Sequence, residues 1–256
     1  MYKYIWQKEI RAQLYTWKSM LWLLVASLLF SVTSYLLLTN KELSLLDQTE
    51  LLWLLGKIII GVALLIVSVD ASSIITVEFE KETAESLFVS PLKLKDLVLG
   101  KLLASLTLWA SIFVVSIPYI VVTSVGSHLL WAFLGYVALL GTLGILGFVL
   151  LIFAISLFFR SSKNTLTTSL VILLALAIPA VFTSTLKTDV VSQIISKINP
   201  IDSIFASLDN VLVDYQLSLM QNWQYLVPLV IFCALACGLL AYSMRYFAAK
   251  GVITNE

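Results

Sequence analysis

The chain has 256 residues, of which 60% are hydrophobic and 12% charged, with a net charge of +1. Soluble domains carry about one quarter charged residues, and runs of about twenty apolar residues need a bilayer, so this composition excludes a water-soluble globule. A net charge of +1 gives no sign of a nucleic-acid partner.

Residues 1–18 hold Lys3, Lys8, Arg11 and Lys18, and Trp6, Ile10, Leu14 and Trp17 recur at steps of four and three. That spacing predicts an amphipathic helix lying in the membrane interface on an anionic leaflet. A first span follows from Met20 to Leu38, long enough to cross and without a small-residue cleavage site, so it is read as uncleaved. The second span runs from Leu51 to about Val77 and contains Lys57 and Asp70. Lys57 lies about two turns inside the outer end. Its charge is costly there unless it faces a pathway or partner, or snorkels to the interface. Asp70 is expected near the cytoplasmic interface in a local hydrogen bond.

The longest charged stretch comes next, from Glu78 to Asp96. Glu78, Glu80, Glu82 and Glu85 come early, and Lys93, Lys95 and Lys101 come late. In a helix the acids would suit its positive end, and Pro91 would stop it. Two readings stay open: a short helix (78–92) that docks a cytosolic partner, and a solvated loop.

The third span, Leu97 to about Thr123, contains Pro118, and the fourth, about Leu129 to Phe159, contains Gly141, Gly144 and Gly147. Small residues at this spacing allow close helix contact in lipid. The turn Arg160-Ser161-Ser162-Lys163-Asn164 leads to a fifth span, Thr165 to about Leu186, and the sixth covers about Tyr225 to Ala248. Between them, residues 187–222 predict two short amphipathic helices on or dipping into the outer leaflet, the second capped by Asn199-Pro200.

Twelve basic residues fall in the amino-terminal segment, the charged stretch with its flank, the Arg160 turn and the carboxyl tail, against Lys41, Lys187 and Lys197 on the other side. The positive-inside rule then places both termini and the charged stretch in the cytoplasm. The expected fold is one all-α transmembrane domain, 1–256, with six spans. Cys233 and Cys237 sit in an apolar run at helical spacing, which suits packing better than a disulfide or metal pair. With His128 the one histidine, neither a metal site nor a Ser-His-Asp set can be assembled. No phosphate-binding glycine loop is present either, so no catalytic residue and no cofactor is expected on this chain. A secondary transporter would want charged or broken helices at mid-membrane; Pro118 and Pro179 are slender support. A non-transporting anchor or immunity subunit is the other alternative.

Glu78, Glu80, Thr83, Glu85, Leu87, Ser90, Pro91, Gly100 and Lys101 fall in register with a signature. In these residues the chain resembles the ABC type-2 transporter permeases. Glu82 stands where that family usually has glycine, which favours a continuous helix. The resemblance implies a cell-membrane subunit of an exporter, whose Glu78–Pro91 helix couples to a cytosolic ABC ATPase pair. ATP and Mg would be bound by those ATPases. A second permease, identical or not, would complete the path through the lipid bilayer.

Overall fold

The structure, a computed structural model, describes residues 16–39, 48–80, 94–125, 128–186, 198–213 and 219–253. Most of the expected interfacial helix, residues 81–92 of the expected coupling helix, and parts of the outer insert lie outside these residues. The described chain is helical and contains no strand. In order the helices are α1 (Trp17–Thr39), α2 (Gln48–Ile74), α3 (Thr76–Glu80), α4 (Leu94–Thr123), α5 (Leu130–Phe159), α6 (Ser162–Leu186), α7 (Pro200–Leu212) and α8 (Leu219–Ile253). Six of them, with α2 and α3 counted as one, are long and apolar enough to cross a membrane.

Helices α2 and α5 form the centre. In their most apolar windows 56% and 61% of residues are buried, against 22% for α1, α6 and α8. The reason is visible in spacing: Leu52, Leu55, Ile59, Ala63, Val67 and Ala71 recur every three or four residues and make one continuous buried face of α2. On α5 the same role falls to Phe133, Val137, Leu140, Phe148 and Ile152. The remaining spans leave rows of large apolar side chains outward, as Leu24, Leu28, Val230 and Leu235 do, which lipid accepts.

Side-chain bonds identify the two ends of the bundle. Gln48 Nε2 donates to the Val125 carbonyl at 2.9 Å, joining the start of α2 to the end of α4. At the other end Lys18 Nζ pairs with Asp70 Oδ1 at 3.2 Å and donates to Ser73 Oγ, joining the start of α1 to the end of α2. The spans α1, α2 and α4 therefore alternate in direction.

Two segments carry detail beyond the sequence expectation. The second span extends past Val77 as expected, to Glu80, but with a break: α2 stops at Ile74 and a turn at Ile75 leads into α3. Its last carbonyl, Ile74 O, accepts from Lys101 Nζ at 2.6 Å instead of continuing the ladder. The second amphipathic helix, α7, expected on or dipping into the outer leaflet, has far less solvent-facing surface than its period suggests. It is inserted among α2, α5, α6 and α8, and all its residues except Ala206 and Asp209 are buried. Asn199 caps it, accepting from Ile201 N at 3.0 Å, while Asn199 Nδ2 donates to the Leu176 carbonyl of α6 at 2.7 Å. Its polar face is also enclosed: Asn210 Nδ2 donates to Asn222 Oδ1 of α8 at 2.6 Å. Polar groups matched inside the bundle let a helix with two faces be buried on both.

Candidate functional site

The charged stretch begins in α3, and the carboxylates of Glu78 and Glu80 turn onto the bundle. Glu78 Oε1 lies 2.8 Å from Lys101 Nζ, whose side chain is only 3% exposed. Taking an ammonium out of water costs several kcal/mol unless it is paired and hydrogen-bonded. Here the ammonium has both a carboxylate and the Ile74 carbonyl, which belongs to the negative end of α2. Glu80 reaches α6. Its Oε1 accepts from Ser162 N at 2.7 Å and its Oε2 from Ser162 Oγ at 3.0 Å. A carboxylate on the first amide of a helix satisfies an orphan donor and suits the positive end. Thr76 Oγ1 and Ser162 Oγ are 2.6 Å apart, which closes the junction.

The turn that presents Ser162 is sharp. Arg160 ends α5 with φ 51°, and its N–H bonds to the Ser156 carbonyl at 3.0 Å. This left-handed cap reverses the chain in two residues. The base of the charged segment is thereby tied to α2, α4 and α6 at once, with α1 joined through Lys18 and Asp70.

Of the residues singled out in sequence, Glu78 and Glu80 are brought together in this junction. Glu82, Thr83, Glu85, Leu87, Ser90 and Pro91 lie outside the described residues. Asp70 stands at the same end, against Lys18. Lys57 is at the opposite end, half-buried, with Nζ 3.3 Å from the centre of the Trp53 ring and 5.3 Å from that of Phe205 on α7. Trp53 Nε1 in turn donates to the Phe205 carbonyl at 3.2 Å, so the aromatic shelf under the ammonium is itself fixed.

Gly141, Gly144 and Gly147 are buried, but each meets a different neighbour. A Cβ at Gly141 would collide with the Trp109 ring of α4. At Gly144 it would lie 2.7 Å from Ile204 Cδ1 of α7, and at Gly147 2.7 Å from Phe232 Cδ1 of α8. The glycines are notches for side chains, where close backbone approach was the expectation. Cys233 Sγ donates to the Leu143 carbonyl at 3.3 Å, and Cys237 is exposed, so the two do not pair.

Thr76 and Ser162 are junction residues that sequence reasoning missed, and Lys101, noted there only as part of the signature, was given no partner. The available signal was Lys101 itself, a cation at the head of an apolar run, where a charge demands a partner.

A bundle of six spans with charged groups locked at one end is a multi-pass membrane protein. The family model for ABC-2 family transporter proteins matches residues 47–252, and the chain belongs to that family. No curated protein matches it. It is the membrane-spanning permease component of an ABC transporter, which operates with an ABC ATPase and is not the ATPase itself.

Proposed function

We propose that this permease is an exporter subunit whose charged segment, 78–92, is the lever through which a cytosolic ATPase pair moves the spans. In this reading both termini and the segment face the cytoplasm of a cell-membrane protein. A second permease subunit completes the path, and ATP and Mg stay on the ATPases. The observation that carries the reading is the double anchorage of α3, Glu78 to Lys101 and Glu80 to Ser162. A displacement of the segment must pull on α4 and α6 together. Such a bundle responds when a partner binds one arrangement better than another.

Two kinds of acid then divide the work. Glu78 and Glu80 hold the lever to the bundle, while Glu82 and Glu85 dock the ATPase. Partly desolvated interface charges cost about 2–5 kcal/mol when one partner is lost. Purification of tagged permease with its ATPase tests this. Glu82→Ala combined with Glu85→Ala should release the ATPase while the permease stays in the membrane. Undiminished recovery of the ATPase would remove the docking role.

A further inference from the structure

At the end of the bundle that carries Lys18, Lys101 and Arg160, an aromatic cluster faces outward. Phe158 of α5 lies 6.4 Å from Tyr242 and 6.0 Å from Tyr246 of α8, ring centre to ring centre, and the two tyrosines are stacked at 6.5 Å. Tyr242 is 60% exposed, Phe158 46% and Tyr246 44%. Arg245 is three residues after Tyr242 and so neighbours it on α8, to one side of Tyr246, and it is exposed. Arg160, also exposed, follows Phe158 and Phe159 at the end of α5.

We propose that the Phe158–Tyr242–Tyr246 cluster with Arg160 and Arg245 binds the headgroup of an anionic phospholipid. The ring bodies suit the acyl boundary, and the phenol hydroxyls suit the headgroup level. An arginine matches a phosphate with paired N–H donors. Charge argues against a second copy of this chain on the same face. A two-fold contact would set the patch against itself; α5 and α8, whose residues form it, contain no Asp or Glu, and the nearby Glu80 carboxylate is held by Ser162. The inference rests on the reading that this end is cytoplasmic, where anionic lipids gather. It also deepens that reading: Arg160 is two residues from Ser162, whose amide holds Glu80. A headgroup on Arg160 steadies the turn to which the lever is anchored.

The test is native mass spectrometry of the purified permease, titrated with phosphatidylglycerol and with phosphatidylcholine of the same acyl chains. The parent should prefer phosphatidylglycerol. Arg245→Gln, at an exposed position, should lower that preference about fivefold. Arg160→Gly should lower it similarly, because glycine adopts the left-handed backbone freely and only the charge is lost. Lys95→Gln, an exposed cation on α4, should leave it unchanged. Equal binding of the two lipids by the parent would overturn the proposal. So would an equal loss in Lys95→Gln, which would mean general surface charge, or a permease dimer that Tyr242→Ser dissociates without any lipid preference. The ATPase takes no part, so failure here leaves the lever standing, and failure of the lever leaves this site standing.

Discussion

Lys101 shows how much one side chain can organise. Its ammonium ends α2 at Ile74 and fixes α3 through Glu78. Removing one partner of a buried pair strands the other, and the two halves of this pair are not equally placed: the Lys101 side chain is 3% exposed and that of Glu78 24%. Lys101→Met leaves Glu78 with a route to water, but it strips the Ile74 carbonyl and loosens the α2–α3 turn. Glu78→Gln leaves the buried ammonium with a carbonyl and a neutral amide. Removing one partner of a buried pair costs about 3–5 kcal/mol. Both variants should therefore melt earlier in detergent than the parent, and Glu78→Asp, which keeps the charge, should recover part of the loss. Melting points equal to the parent's would show that the pair contributes nothing to holding α3.

At the scale of the helix, the three glycines of α5 are distinguished by what fills their notches. Trp109 at Gly141 is rigid and anchored, since its Nε1 donates to Thr142 Oγ1 at 3.0 Å. Ile204 presents only its terminal methyl to Gly144, and a terminal methyl can rotate away. Overpacking costs about 1–3 kcal/mol when neighbours cannot yield. Gly141→Ala should therefore lower thermal stability or yield well below Gly144→Ala, as read by fluorescence-detected size exclusion after heating. The opposite order would refute the notch account. That glycines at 141, 144 and 147 mark a packed face of α5 is plain from their spacing. That the partners are a tryptophan, an isoleucine and a phenylalanine from three helices is not, because each contact joins residues distant in sequence. Helix α7 and its Asn199 cap are legible, but its burial is not, for a related reason. An amphipathic period normally marks a surface helix, and only the three-dimensional pairing of Asn210 with Asn222 shows that its polar face is enclosed.

At the scale of the molecule, six spans and an all-helical fold follow directly from hydropathy, because a bilayer leaves few alternatives to helices for the backbone. The site was legible only in part. The acids of the charged stretch suggest an outward docking surface, yet Glu78 and Glu80 are used inside the chain, on partners 23 and 82 residues away. The membrane orientation has its own test. A cysteine at Ser86 should escape impermeant reagents added to intact cells, and one at Val125, which is exposed at the far end, should react; the reverse pattern would invert the topology. The central claim is that Glu80 transmits force and does not dock. It is tested most directly by ATP hydrolysis of the reconstituted permease–ATPase complex carrying Glu80→Ala, with the amount of ATPase retained on the permease measured in the same preparation. A lost bond between a carboxylate and a helix amide is worth about 1.5–3 kcal/mol. The account predicts full retention of the ATPase with hydrolysis no longer responsive to substrate or lipid; undiminished coupling, or release of the ATPase, would contradict it.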